Sequence, residues 1–448
     1  MAHGEPTAGD PAGGLAGGLT IRRANPSDSG AIGDVWLDSW RATFDFPPAH
    51  HDADVRRWIA EELVVREEVW IAVEATGRII GMLALSATML EQLYVAPEWI
   101  GRGVGSALLA LARTRRPDGL DLWCFQANRR ARHFYQRNGF RAVFFGGGSD
   151  NMEGQPDIRY AWRPEGASQR WPAAPDALPW QIASRDGTLI AAFRSGTPTG
   201  PPLILVHGTS ADHTTFRVIG PLLESTFDVI AIDRRGRGAS GDTLPYSIER
   251  EFEDVTSVAE AIAAVHGVPA VAAFGHSYGG RCALGAARIS DAIARVVCYE
   301  GAPAAPGERY GDAGLAEDLA ALAAADENER LLETFMERVV GMSRSELDAY
   351  RADPIWPRRV AAAPTIAREL LSESTTMAGL EALGGLRKPV LQILGGDSAP
   401  AFVTATMALA ERLVDGRVVT IPGARHGAHH THPDAVAAAV TSFLLERV

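Results

Sequence analysis

A serine hydroxyl becomes a nucleophile when the backbone holds it clear of its neighbours and a base takes its proton. Phe274-Gly275-His276-Ser277-Tyr278-Gly279-Gly280 is built for the first condition. Gly275 and Gly279 flank Ser277 where side chains would crowd a sharp turn. A small apolar run, 270–274, leads in as a strand, and an Ala/Leu-rich run, 281–287, leads out as a helix. This strand–turn–helix context, more than the bare GxSxG spacing, marks Ser277 as a nucleophile. Imidazole titrates near neutrality, so a histidine is the natural base. His426 follows the late strand 417–421, and Asp397 follows the strand 389–394. In a parallel sheet, the C-terminal strand ends are where side chains meet a substrate. On that placement His426 is the expected base, although His429, His430 or His432 could serve by proximity, and Asp397 is the expected carboxylate that fixes its tautomer. Glu300, which ends the strand 296–299, is the alternative acid. Two N–H groups must receive the oxyanion, and those of Tyr278 and Thr209 are the expected donors. His276 should pack beneath the turn, and Asp233 should be structural. His429, His430 and His432 lack Cys or carboxylate companions at metal-ligand spacing and read as solvated loop histidines, so no metal is expected.

A second group of residues could hold an anion. Trp99-Ile100-Gly101-Arg102-Gly103-Val104-Gly105-Ser106 opens an apolar helix, 107–113. Backbone N–H groups of Gly101, Arg102, Gly103, Val104, Gly105 and Ser106 can line a concavity at a helix N-terminus, which suits a pyrophosphate. No GK[ST] follows, and no first βα unit with a downstream acid surrounds the loop, so neither a Walker loop nor a dinucleotide fingerprint is present. Further on, Asn128 starts a helix that carries Tyr135. A phenol with a pKa near ~10 can protonate a departing thiolate. Glu91, on the strand 90–95, could accept a proton from an incoming amine through water. The plainer readings are a packing tyrosine and a solvated strand carboxylate.

These residues need two scaffolds. A chain of 448 residues exceeds one ordinary core and divides naturally into domains of roughly 160 and 270 residues. Residues 1–18 are Gly/Ala/Pro-rich and should form a disordered tail. A first domain is expected over 19–165, a Pro-rich linker over 166–179 and a second domain over 180–448. In the first, strands 70–74 and 78–85 form a hairpin at Ala75-Thr76-Gly77, Asp28 can cap a first helix, and a second helix spans 52–63. In the second, buried apolar strands alternate with helices, which implies right-handed crossovers and a doubly wound parallel α/β sheet. A helix-rich stretch, approximately 303–386, interrupts it as a cap; its Arg351, Arg358 and Arg359 read as surface residues. With 46% hydrophobic and 22% charged residues the composition is globular. The net charge of -12 argues against nucleic acid as a partner. No apolar run reaches membrane-spanning length and no signal pattern opens the chain, so a cytoplasmic protein without a membrane partner is expected. Cys124, Cys282 and Cys298 are unclustered and fit reduced thiols.

From Ile21 to Trp162 the chain resembles the GNAT acetyltransferase superfamily, on LYVAPEWIGRGVGSALL followed by NRRARHFYQRNGF. The resemblance implies an α+β fold and acetyl-CoA as co-substrate. It places Val95 and the 101–106 backbone around the pyrophosphate, Asn128 at the pantetheine or phosphate end, and Tyr135 as the thiolate's proton donor. Ile100 stands where the superfamily usually has Gln or Arg. From Trp180 to Val448 the chain resembles the α/β-hydrolase fold, on LILVHG, DRRGRGAS, GHSYGG, LGGDS and IPGARHGAHHTHP in that order. That implies a nucleophile–acid–histidine order and a cap over the serine between the sixth and seventh strands. The combined expectation is a bifunctional enzyme: an N-acetyltransferase fused to a serine hydrolase that acts on a small ester, lactone or related acyl compound. Two alternatives are an acyl-CoA-binding regulatory N-terminal domain without transfer activity and a perhydrolase or cofactor-free haloperoxidase-like C-terminal domain. A serine nucleophile disfavours dehalogenase and epoxide hydrolase chemistry, which need a carboxylate there.

Overall fold

A computed structural model of the chain describes residues 19–164, 179–372, 375 and 377–446. The expected tail, 1–18, and all but the last residue of the expected linker, 166–179, lie outside them. The chain divides into two compact units, Met1–Ala174 and Pro175–Val448.

The N-terminal unit contains two antiparallel sheets. Strands β1 (Thr20–Arg23), β2 (Glu68–Val73), β3 (Ile79–Leu85) and β4 (Leu90–Val95) lie in the order β1-β2-β3-β4. Strands β5 (Leu120–Phe125), β6 (Arg141–Gly146) and β7 (Asp157–Trp162) lie in the order β5-β7-β6. Every residue of β3 is buried, as expected for a central strand covered on both faces. Among the described residues the two sheets are joined by one isolated parallel bridge, Met89 to Asp121, where the Asp121 N–H donates to Thr88 O at 3.1 Å. Beyond it β4 pairs with β3 and β5 with β7, which leaves their facing edges open among the described residues. Helix Ser29–Thr43 buries Ile32, Val35, Trp36 and Trp40 against this layer, one face at helical spacing. Asp28 precedes that helix without capping it. Its own backbone is already helical, and its carboxylate accepts from the Arg22 guanidinium (2.8 Å) and the Asn25 N–H (2.9 Å) instead. The second expected helix is regular over Asp52–Trp58 and widens to a π-turn over Ile59–Leu63.

The C-terminal unit is built on eight strands: β8 (Trp180–Ala183), β9 (Leu189–Gly196), β10 (Pro202–Val206), β11 (Asp228–Ile232), β12 (Val271–His276), β13 (Ile293–Tyr299), β14 (Val390–Gly395) and β15 (Gly416–Ile421). Their order is β15-β14-β13-β12-β10-β11-β9-β8, with β9 antiparallel to both its neighbours, β11 and β8, and the other pairs parallel. All five residues of β10 are buried. Helices Ile248–His266 and Tyr278–Ile289 pack together at Gly285, where an added Cβ would lie 2.2 Å from the Phe252 ring. Between β13 and β14 the chain forms short helices from Leu315 to Gly384 with their own apolar cluster, which includes Leu319, Leu331, Leu332, Leu347 and Ile366. Among the described residues no helix is long and apolar enough to cross a membrane.

Candidate active sites

In the C-terminal unit, β12 runs into Ser277, whose φ of 55° and ψ of -129° lie in a strained region for a side-chain-bearing residue. Such a conformation costs on the order of 1–3 kcal/mol and persists only where the surroundings impose it. The glycines impose it: a Cβ on Gly279 would come within 2.3 Å of His207 O, and one on Gly275 within 2.3 Å of Gly279 O. The Ser277 N–H is held by Tyr299 O at 2.8 Å.

His426 sits in the loop after β15, buried, its ring stacked on Phe402 at 4.1 Å. His426 Nδ1 lies 2.6 Å from Glu300 Oε2. A carboxylate oxygen accepts, so Nδ1 carries the hydrogen and Nε2 is the basic nitrogen. Glu300 is fully enclosed, in the left-handed region at φ 46°, and its other oxygen accepts from Gly395 N–H (2.7 Å) and Ser398 Oγ–H (2.6 Å). The expected acid, Asp397, is therefore not the carboxylate that meets His426; Glu300 is. Gly395 and Gly396 carry the chain past the end of β14, so that Asp397 is exposed and is tied by its N–H to Ala424 O at 2.9 Å. His276 lies beneath the turn as expected, its Nε2 2.9 Å from His426 O. Ser277, His426 and Glu300 line one cavity of about 30 Å³ with Thr209, Tyr278 and Arg281. The Thr209 and Tyr278 N–H groups have no backbone acceptor among the described residues. Phe335, Val339, Val340 and Leu370 of the helical insertion also line the cavity.

A buried polar network supports the loop that carries Thr209. Burial and the Arg234 cation hold His207 well below the usual imidazole range. As a neutral ring, its Nε2 accepts the Arg234 N–H (3.0 Å) and its Nδ1–H donates to Gly208 O (2.8 Å). The Arg234 guanidinium forks onto Glu251 (2.7 and 2.6 Å) and reaches Glu369 at 2.5 Å; Arg237 also donates to Glu369. Glu369 belongs to the insertion, in helix Ile366–Leu371, so this carboxylate ties the insertion to the DRRGRG loop. Glu369→Ala should leave Arg237 with only the Arg235 carbonyl (2.8 Å) as partner. The expected cost is about 3–5 kcal/mol, read as a lowered denaturation midpoint. Asp233 is structural, accepting the His213 N–H (2.8 Å) and the Ala239 N–H (2.9 Å).

Two other readings change. His429 is buried, packed on His276 and Phe216, and His430 is half-buried against His429, with both Nε2 atoms near Thr215 Oγ1. Arg359 is also buried, donating Nε–H to Tyr350 OH at 3.0 Å, whereas Arg358 is paired with Asp212 at 2.9 Å and Arg351 with Glu333 at 2.7 Å.

In the N-terminal unit, Gly101 and Gly103 have φ of 82° and 87°, and a Cβ built on either meets nothing within 4 Å. The loop is open, and only glycine takes that backbone without strain. The N–H groups of Gly101, Gly103, Val104, Gly105 and Ser106 have no backbone acceptor among the described residues, while that of Arg102 is used by Trp99 O at 3.3 Å. They surround the N-terminus of helix Val104–Arg115, at the end of β4 where Val95 approaches Gly105. A pyrophosphate fits this donor set. Asn128 Oδ1 caps helix Arg129–Arg137 by accepting the Ala131 N–H at 3.0 Å, so only its amide NH₂ remains for a ligand. Tyr135 is buried, and burial pushes its phenol above the usual range. Glu91 is exposed on β4. Tyr135, Asn128 and Glu91 line a cavity of about 910 Å³ beside the open edges of β4 and β5. Asp157 lines it too, half-buried at the start of β7, and was missed; its one signal is Gly146, where a Cβ would lie 2.2 Å from Asp157 Oδ1.

Comparison with known proteins agrees with both scaffolds. Residues 203–439 match the alpha/beta hydrolase family, and residues 65–142 match the acetyltransferase (GNAT) domain. The chain is 31% identical over 124 residues to the peptidyl-lysine N-acetyltransferase YiaC of Escherichia coli, covering 28% of this chain and 84% of that protein. It is 26% identical over 260 residues to the 2-(acetamidomethylene)succinate hydrolase of Mesorhizobium japonicum, covering 55% and 88%. A crystal structure of an alpha/beta hydrolase from Sphaerobacter thermophilus superposes with a TM-score of 0.51 at 30% identity, over 59% of this chain and 99% of that one.

Proposed function

Since the chain belongs to the α/β hydrolase family and carries a GNAT acetyltransferase domain, we propose that its two units run separate acyl-transfer reactions, one onto an amine and one onto water. In the C-terminal unit Ser277 Oγ attacks an acyl carbon while His426 Nε2 takes its proton. The tetrahedral oxyanion lies between the Thr209 and Tyr278 N–H groups. His426 then gives the proton to the leaving group, and a water activated by the same nitrogen releases the acid and restores Ser277. Glu300 holds the imidazole with Nε2 free and stabilises the imidazolium. The substrate is a small carboxylic ester, lactone or related acyl compound, a reading supported by the relative named 2-(acetamidomethylene)succinate hydrolase. The observation that carries this half is the 2.6 Å contact of His426 with Glu300 in the cavity that holds Ser277.

In the N-terminal unit acetyl-CoA supplies the acetyl thioester. The amides of residues 101 and 103–106 hold its pyrophosphate, and the open edge of β4 lies beside its pantetheine arm. Tyr135, kept protonated by burial, gives its proton to the departing sulfur as the amine nitrogen bonds to the acetyl carbon. The acceptor's own proton leaves through a cavity carboxylate. Tyr135→Phe should slow CoA release by roughly 10²-fold with unchanged acetyl-CoA affinity. An unchanged rate would favour the regulatory acyl-CoA-binding reading. Intact-protein mass spectrometry after an acyl-ester panel tests the hydrolase half by the acyl mass added to wild type and not to Ser277→Ala.

A further inference from the structure

The 910 Å³ cavity of the N-terminal unit has a composition of its own. Its wall from helix Ser29–Thr43 and strand β5 is aromatic: Trp36 stacks on Trp40 at 4.9 Å, and Phe125 meets Trp40 and Phe44 edge-on at 5.8 and 5.4 Å. Trp58 and Tyr94 continue it. Seven of the lining residues are Asp or Glu, and one is Arg. Among these carboxylates Asp157 is set into the wall. It lies across the ladder from Phe125 and Gly146, and its Oδ2 accepts from the Asn151 amide at 2.9 Å. No cation pairs with it among the described residues, and burial raises it above the usual carboxylate range. Glu153 also lines the cavity, and Tyr94 packs on Trp36. The loop residues 101–106 are not among those lining the cavity.

An aromatic wall gives an aromatic ring stacked and edge-on contacts that an alkyl chain cannot make, and a half-buried carboxylate with no cationic partner is relieved by a cation. Resting on the acetyl-transfer reading above, we infer that the acceptor is a small primary ammonium compound bearing an aromatic ring. The ring seats on the Trp36–Trp40–Phe125 wall and the ammonium on Asp157. Asp157 takes one ammonium proton, the freed nitrogen bonds to the acetyl carbon, and the carbon–sulfur bond breaks to CoA thiol with the Tyr135 proton, which the second nitrogen proton replaces as the neutral amide forms. A flexible lysine side chain uses the carboxylates but leaves most of the aromatic wall uncovered.

The test is steady-state CoA release by the full chain with 2-phenylethylamine, n-butylamine and a lysine-containing peptide, with acetyl-CoA affinity measured separately. The inference expects kcat/KM for 2-phenylethylamine about tenfold or more above both others, with phenylethyltrimethylammonium competing against the amine. Asp157→Asn, which keeps an oxygen for the Asn151 amide, should raise KM for the amine about tenfold, lower kcat by roughly 10²-fold as the proton acceptor is lost, and leave acetyl-CoA affinity unchanged. Equal or better turnover of butylamine or peptide, or an unchanged KM in Asp157→Asn, overturns the inference while acetyl transfer stands. Acetyl-CoA binding without CoA release for any amine overturns the transfer reading, and this inference with it.

Discussion

Glu300→Gln should reduce ester hydrolysis by about 10⁴-fold in kcat, the scale expected when a histidine base is left in the wrong tautomer. The reason lies in the carboxylate's other contacts. Gly395 N–H and Ser398 Oγ–H both donate to Oε1, so a glutamine would turn its carbonyl oxygen toward them. Its NH₂ would then face His426 Nδ1, which would have to become an acceptor. That moves the ring hydrogen to Nε2, where the serine proton must go. Asp397→Asn is the control, since Asp397 is exposed and among the described residues holds only its backbone contact to Ala424. Its activity should stay within about twofold of wild type. Hydrolysis rates of the two variants with one ester substrate check both expectations, and the reverse ranking would restore Asp397 as the acid.

Ser277→Ala should lower hydrolysis further, by roughly 10⁵- to 10⁶-fold, because the members of such a unit act together and the attacking atom itself is gone. Some rate above the uncatalysed reaction should remain from the Thr209 and Tyr278 amides and from binding, on the order of 10³-fold. Acetyl transfer should be unaffected, since Tyr135 and the 101–106 loop belong to the other compact unit. Progress curves for ester hydrolysis and for CoA release on the same sample separate these effects. Parallel loss of both activities would mean that the substitution unfolds the chain.

Much of both scaffolds was legible because their signals are local. A glycine-flanked serine after an apolar strand fixes a bend through backbone sterics alone, and the observed φ of Ser277 is that bend. The glycine triplet before Val104 is legible for the same reason, since two of its members take positive φ. The acid was not legible. Glu300 and Asp397 each end a strand of the same sheet, and the strands are neighbours, β13 and β14. Which carboxylate reaches the imidazole depends on the turn each chain takes after its strand. Glu300 turns inward at positive φ with the longer side chain, whereas two glycines carry Asp397 outward. His429, His430 and Arg359 were read as solvated because polarity in a sequence does not reveal what packs on it; here Thr215, His276 and Tyr350 do. Asp28 was misread because an acid before a helix can serve a neighbouring arginine as readily as the helix end. Asp157 could not be found from its own position, since its meaning comes from Gly146 across the ladder and from the aromatic wall on β5 and the first helix.

Reaction of the intact protein with an alkyl fluorophosphonate, followed by mass spectrometry of the whole chain and its peptides, addresses the nucleophile itself. A single adduct on the peptide that carries Ser277, absent in Ser277→Ala and much slowed in Glu300→Gln, is the predicted result. An unlabelled wild-type protein, or an adduct that persists in Ser277→Ala, would contradict it.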